Sequence, residues 1–157
     1  MFKDAKISEC GKYRYLLTRV WGDGDSAVFL MLNPSTADAT VDDPTIRRCI
    51  GFAKAWGYAG ISVVNLFAWR ATKPRELHKA RDPVGPENDD WIRKTCDGRL
   101  VVCAWGAVAD VHWRRVAHVV SMLPGANLRC LGTTRSGAPR HPLYVAADQM
   151  TFPWGRP

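Results

Sequence analysis

The chain has 157 residues, of which 46% are hydrophobic and 24% are charged, and it carries a net charge of +7. These values are ordinary for a soluble globular protein, and its apolar runs are far too short to cross a bilayer. The first fifteen residues contain no apolar segment of the kind that a secretory signal requires. We therefore expect one cytoplasmic domain over residues 1–157, monomeric and without membrane contact.

Hydrophobic patterns along the chain predict alternating strands and helices. Residues 13–21 alternate in polarity and predict a first strand at an edge of the sheet. Continuous apolar runs predict strands that are buried on both faces. These runs are residues 27–32, 61–65, 100–105 and 128–131.

Three helices are expected between these strands. Asp43 followed by Pro44 is a strong helix start, and apolar spacing extends this helix to about residue 56. A short helix is expected over residues 87–96 after a proline-rich loop at 70–86. A long helix is expected from Gly106 to about residue 123, with Val108 and Val111 among its inward residues.

This alternation predicts an α/β fold, a three-layer αβα sandwich around a central, mostly parallel four-stranded sheet. In such sheets, ligands bind beyond the carboxyl ends of the strands. Asn33 and Asn65 each end a predicted strand, and His141 follows the loop after a fourth strand. Two amides and an imidazole would give a neutral pocket suited to a polar heterocycle such as a nucleobase. Taken singly, each of these residues is more typical of a turn or a structural role.

The other chemical signals are charge and cysteine usage. From Val111 onward, six arginines and one acid leave a charge of +5, which favours nucleic-acid contact or forms a solvated basic surface. The five cysteines have neither the spacing of a zinc site nor the even number of a disulfide framework. We therefore expect no metal and no cofactor.

Four stretches resemble a bacterial and phage domain family of unknown function: MLNPSTADATVDDPTIRRC, WGYAGISVVNLFAWRATKP, DPVGPENDDWI and GAPRHPLY. The order strand-Asn-Pro, strand-ending Asn, apolar strand-Trp-Gly and His-Pro also resembles the uracil-DNA glycosylase superfamily. Within that superfamily, the chain most resembles the mismatch-specific and single-strand-selective branches. The resemblance implies a uracil-DNA-glycosylase-like fold, DNA as the partner, and hydrolysis of an N-glycosidic bond to leave an abasic site.

The resemblance also assigns roles. Asn33 matches the residue that positions the attacking water, Asn65 the reader of the base edge, and His141 the donor to the departing base. Because the sugar becomes oxocarbenium-like, stabilising the leaving base matters more than a strong nucleophile. The loop after Asn33 departs from the family pattern by adding three aspartates: Asp38 and Asp42 are candidate general bases or solvated loop acids, and Asp43 is the expected helix cap.

Further candidates surround these residues, because a flipped base needs a stacking partner and a rim that grips the strand. The candidates for stacking on the base are Phe67, Trp69 and Tyr144. The candidates for DNA contact or insertion are Arg114, Arg115, Arg135, Ser136, Arg140 and Leu143.

Two departures from the glycosylase pattern argue against uracil as the substrate. Met31 and Ser35 stand where the glycosylases have glycine. We therefore expect a modified base, for example a substituted cytosine of phage DNA, and a role in repair or anti-phage defence. Two alternatives remain open: a non-catalytic binder of modified or flipped bases, and a hydrolase of free nucleosides or nucleotides.

Overall fold

A mixed β-sheet forms the centre of the protein in a computed structural model that describes residues 1–155. Its seven strands follow the order β1-β2-β4-β3-β5-β6-β7. They are β1 (Phe2–Ile7), β2 (Arg14–Val20), β3 (Ser26–Met31), β4 (Gly60–Asn65), β5 (Leu100–Cys103), β6 (Asn127–Cys130) and β7 (Phe152–Pro153). Arg156, which contributes to the C-terminal charge, lies outside the described residues.

The four predicted buried strands are confirmed as parallel neighbours, but the sheet is larger and less parallel than expected. Strands β4, β3, β5 and β6 pair in parallel, whereas β1, β2 and β7 are antiparallel. The prediction that residues 13–21 form an edge strand was wrong in position, because β1 covers the outer side of β2. β1 escaped prediction because its sequence, FKDAKI, lacks a regular apolar alternation.

Helices cover both faces of the sheet. They are α1 (Pro44–Ala55), α2 (Asn88–Cys96) and α3 (Trp113–Ser121). The predicted start of α1 is confirmed, because a carboxylate oxygen of Asp43 accepts a hydrogen bond from the Ile46 N–H at 2.8 Å. Helix α1 packs on one face of the sheet, and α2 and α3 pack on the other.

The long helix predicted from Gly106 is interrupted. Residues Ala107–His112 form a 3₁₀ helix, and α3 begins only at Trp113. Val108 and Val111, expected to point inward, are 57% and 80% exposed. Gly106 has a φ of +77°, a value that glycine adopts readily, and its N–H donates to Pro139 O. This backbone conformation is not helical, so the predicted helix does not begin at Gly106.

The carboxyl ends of β3 and β4 lie side by side. Met31 pairs with Asn65, and beyond the strands the Leu66 N–H donates to Met31 O and the Phe67 N–H to Leu32 O. This continued pairing places the loops that follow β3 and β4 at the same edge of the sheet. No helix within residues 1–155 is long and apolar enough to cross a membrane.

Candidate functional site

A cavity of about 540 Å³ opens at the carboxyl ends of the parallel strands. Its walls come from the ends of β3 and β4, from the loop after β5 and from residues 134–144. The predicted site residues in this lining are Asn33, Asn65, Arg140, His141, Leu143 and Tyr144. The two strand-end amides and the imidazole therefore line one cavity.

Asn33 presents a hydrogen-bond acceptor. Its Nδ2 donates to Pro34 O at 2.9 Å and to Ala71 O at 2.8 Å. Because two carbonyl groups face the nitrogen, the orientation of the amide is fixed. Oδ1 has no hydrogen-bond partner among residues 1–155, so it can accept from a water molecule or a ligand.

Asn65 presents a donor instead. The residue is only 2% exposed, and its Oδ1 accepts from Nη2 of Arg14 at 3.4 Å. Its backbone carbonyl accepts from Nδ2 of Asn88 at 2.9 Å, which anchors the end of β4. Nδ2 of Asn65 has no partner within residues 1–155. The side chain is therefore oriented to donate to a ligand.

Arg14 is a site residue that the sequence reasoning missed. It lines the cavity although it is buried, and its Nη1 also donates to Ala37 O at 3.1 Å. Its Nε is buried without a hydrogen-bond partner, and the guanidinium forms no ion pair with any described residue. Burial lowers the pKa of Arg14 to about 10, against the opposing effect of Asp43, so the side chain is still charged at neutral pH. Arg14 is the first residue of β2, and the same strand contains a second buried arginine, Arg19, so no local signal marked Arg14 as a site residue.

Asp43 is the second missed residue, because it does more than cap α1. It lines the cavity, and its second carboxylate oxygen accepts from the Ala37 N–H at 3.3 Å. The same Ala37 accepts from Arg14 through its carbonyl. Asp43 and Arg14 therefore hold the loop after β3 from opposite sides.

The two aspartates proposed as general bases do not line the cavity. Asp42 pairs with Arg19 at 2.7 Å and with Lys3 at 3.2 Å. Burial raises the pKa of Asp42, but these two hydrogen bonds outweigh it and lower the pKa below its usual value. Asp38 accepts from the backbone N–H groups of the loop that contains it, which lowers its pKa. Both carboxylates are engaged in holding the loop.

His141 is a neutral donor. Its Nδ1 accepts from the Leu143 N–H at 3.2 Å, which puts the ring proton on Nε2. Burial lowers the pKa of His141, and the negative charge of Asp43 opposes this only in part. At neutral pH the imidazole therefore carries one proton and offers the Nε2–H group as a donor.

Two neighbours fix the position of His141. Arg48 on α1 donates from Nε to Pro142 O at 3.3 Å and from Nη2 to Val145 O, so it holds the turn that follows the histidine. On the other side, a Cβ built at Gly106 would lie 3.5 Å from the Cβ of His141. Position 106 therefore lies directly beside His141, and the Gly106 N–H donates to Pro139 O in the loop that carries the histidine.

The rim of the cavity is exposed, apolar and basic. Leu143 and Tyr144 line its mouth, and Tyr144 is 73% exposed. Arg140 donates to Tyr144 O at 3.0 Å. Arg135 and Ser136 are exposed at the tip of the adjacent loop. Four of the six predicted DNA-contact residues thus lie at or beside the cavity.

The remaining candidates lie elsewhere. Phe67 is buried and packs edge-on against His112, with ring centres 4.7 Å apart. Trp69 lines an adjoining cleft rather than the cavity itself. Tyr144 is therefore the only one of the three stacking candidates in the cavity lining.

Two arginines of α3 do not line the cavity either. Arg115 is engaged within the fold, because it forms an ion pair with Asp89 at 2.6 Å and donates to Leu66 O. Arg114 is exposed, and its guanidinium lies 4.7 Å from the ring centre of Trp113.

The cavity as a whole offers hydrogen-bonding groups together with two buried charged side chains, Arg14 and Asp43. Both carboxylate oxygens of Asp43 already accept backbone hydrogen bonds. The polar groups left for a ligand include one acceptor, on Asn33, and donors on Asn65, His141 and Arg14. Within residues 1–155, no group of three or more His, Cys, Asp or Glu side chains is arranged to hold a metal ion. The lining therefore suits a polar ligand with several acceptor atoms.

Comparison with known proteins identifies the family. A family model matches residues 14–143, which is most of the chain and includes Arg14, Asn33, Asn65 and His141. No curated protein and no solved structure matches the chain significantly. The chain belongs to the family described as "Protein of unknown function (DUF1643)".

Proposed function

We propose that this protein is a DNA glycosylase-like enzyme with a fold of the uracil-DNA glycosylase type. It hydrolyses the N-glycosidic bond of a flipped, modified base and leaves an abasic site, in repair or anti-phage defence. The observation that carries the proposal is the meeting of Asn33, Asn65 and His141 in one cavity with an exposed basic rim. The enzyme would act in the cytoplasm as a monomer, without a cofactor.

The arrangement suits a reaction whose leaving group gains negative charge. Water attacks the sugar C1′, a C–O bond forms, and the C1′–N bond breaks with its electron pair passing to the base. Oδ1 of Asn33 accepts from the water, and Nε2–H of His141 donates to the base as its charge develops. The proton that the water loses reaches the base through solvent. The buried charge of Arg14 further stabilises an anionic base.

Recognition of the base depends on the cavity's shape and its fixed donors. A volume of about 540 Å³ is in the range of small-molecule sites. Nδ2 of Asn65 would donate to an acceptor on the base edge, with Tyr144 available at the mouth for stacking. Met31 and Ser35 both line the cavity at positions where the glycosylases have glycine. The base site is therefore shaped differently from theirs, which supports a substrate other than uracil.

The test is an abasic-site assay on oligonucleotides that carry a panel of modified bases, substituted cytosines included. We expect alkali-labile product from the wild type and its loss in Asn33→Ala and His141→Ala. Asn127→Ala and His118→Ala, both exposed and outside the cavity, are matched controls that keep activity. The proposal fails if no base yields product, or if Asn33→Ala and His141→Ala retain wild-type rates while folded.

A second candidate is a non-catalytic reader of modified or flipped bases. Asp43 is the one carboxylate in the cavity lining, and both of its oxygens accept backbone hydrogen bonds. Because Asp43 is engaged in this way, the lining offers no free carboxylate to act as a general base, which favours a binder. A reader would bind modified DNA through Asn65 and leave it intact. Tight binding without product across the whole panel would select this candidate.

A further inference from the structure

A second cleft, of about 390 Å³, adjoins the main cavity and shares Ser35, Ala71 and Thr72 with it. Its other walls come from the turn before β2 and from the segment after β4. They are Gly11, Lys12, Thr36, Trp69 and Arg70. A polymer with one unit in the main cavity therefore has this cleft directly beside it.

Two positive charges are held together on one wall of the cleft. The Arg70 N–H donates to Lys12 O at 2.9 Å, so backbone pairing fixes the two residues side by side. Nη1 of Arg70 donates to Gly11 O, and Nζ of Lys12 lies 5.8 Å from the ring centre of Trp69. Neither cation forms an ion pair with a described residue. The charges are therefore available to a ligand.

Three hydroxyl groups complete the lining. Ser35, Thr36 and Thr72 all line the cleft, and their side chains form no hydrogen bond within residues 1–155. No carboxylate belongs to the lining. Cationic and hydroxyl donors without a competing acid are the groups that proteins use to hold phosphate oxygens.

We propose that this cleft binds a backbone phosphate of the DNA strand whose target base enters the main cavity. The identity of the polymer rests on the proposed function, whereas the phosphate chemistry rests on Lys12, Arg70 and the three hydroxyls. Trp69, a stacking candidate from the sequence, acts here as the surface beside which Lys12 is held. The cleft thus binds the DNA strand beside the site that receives the base.

The experiment measures binding rather than cleavage. The probe is a fluorescein-labelled single-stranded oligonucleotide with a tetrahydrofuran abasic analogue, titrated by anisotropy at several NaCl concentrations. The test variant is Lys12→Gln/Arg70→Gln. The matched control, Arg47→Gln/Lys94→Gln, removes the same charge outside both cavities. Arg47 also donates to a backbone carbonyl, and Lys94 also lies over a tryptophan.

We expect the test variant to bind more weakly and its slope of log Kd against log salt to flatten by about 0.7 for each phosphate that the protein no longer neutralises. The control should match the wild type. Equal slopes in all three proteins, equal changes in both variants, or no binding by the wild type would overturn the proposal. Circular dichroism establishes that both variants are folded.

Two further comparisons are made. The first distinguishes a DNA phosphate from a free phosphate ligand, and the second distinguishes failure of the proposed cleft from failure of the proposed catalysis. If inorganic phosphate binds the wild type but not the test variant, while the oligonucleotide binds both equally, the cleft serves a free phosphate ligand and the DNA assignment is overturned. A Lys12- and Arg70-dependent salt slope without abasic product on any base would reject catalysis alone. Product formation with an unaltered slope would reject the cleft alone.

Discussion

Nη2 of Arg14 donates to the side-chain oxygen of Asn65 at 3.4 Å, and both residues are almost completely buried beside the main cavity. The same guanidinium donates to Ala37 O in the loop that follows Asn33. Arg14 therefore fixes the amide orientation of Asn65 and ties the end of β4 to the loop that follows Asn33.

Replacing Arg14 by Met should reduce function more than stability. Without Nη2 to donate, Oδ1 of Asn65 is free to turn toward the cavity, and we expect at least a tenfold loss in the rate of abasic-site formation. The free energy of unfolding should change by only about 1 kcal/mol, because losing a buried, underpaired charge offsets the lost hydrogen bonds. Timed assays of abasic-site formation measure the rate, and urea unfolding measures the free energy of unfolding. A fall no larger than that of the exposed control Arg114→Met would contradict the positioning role.

Stability should depend on pH through His141. Burial lowers its pKa below the unfolded value of about 6.5. Between these two values the unfolded chain binds more protons than the folded one, so stability falls as the pH drops below about 6.5. The urea midpoint of His141→Gln should fall less than that of the wild type between neutral and mildly acidic pH. His112, whose pKa burial also lowers, acts in the same direction in both proteins, so only their difference reports on His141. Parallel pH profiles would refute this assignment.

Gly106→Ala should disturb the loop that carries His141. Gly106 has a φ of +77° and a ψ of 172°, a conformation that only glycine adopts readily, so the strain costs about 1–3 kcal/mol. The new methyl group itself would fit, in ordinary van der Waals contact with the Cβ of His141 at 3.5 Å. Because the Gly106 N–H donates to Pro139 O, a backbone shift that relieves the strain also moves the loop that carries His141. Gly137→Ala is the matched control, because it has a φ of +86° but no atom within 4 Å of its Cβ. We expect similar losses of unfolding free energy in both variants and a loss of activity only in Gly106→Ala. Equal activities would show that the backbone at Gly106 does not position His141.

Arg48→Met should loosen the turn after His141. Arg48 supplies hydrogen bonds to Pro142 O and Val145 O from helix α1, and charged donors of this kind contribute about 1.5–3 kcal/mol each when buried, less when partly exposed. We expect faster hydrogen exchange at the Leu143 and Tyr144 amides, measured by NMR. The neighbouring Arg47→Met, at an exposed position, should leave these rates unchanged. Unchanged exchange in Arg48→Met would show that the turn is stable without the hydrogen bonds from Arg48.

The helix start and the strands that were predicted correctly from the sequence are those with strong local signals. The Asp43-Pro44 start of α1 depends on one side chain reaching a nearby N–H group, and four apolar runs predicted the parallel strands. Edge strands β1 and β7 carry no such signal, because most of their residues are exposed and pairing with β2 and β6 holds them in place. The same lack of a local signal hid the break at Gly106, whose conformation depends on Pro139.

The sequence by itself determined which residues end the parallel strands, and parallel strands must bring their carboxyl ends to one edge of the sheet. For this reason the sequence predicts that Asn33, Asn65 and the loop before His141 lie at one edge of the sheet. The position of His141 itself, well beyond the end of β6, depends on the contacts that Arg48 and Gly106 make with its loop. Only the tertiary structure decided which atoms face the cavity, because Arg14 and Ala71 reach these side chains from other parts of the chain. It also separated Trp69 and Asp42 from the cavity, since their positions follow from contacts with Tyr13 and Arg19 rather than from their neighbours in sequence.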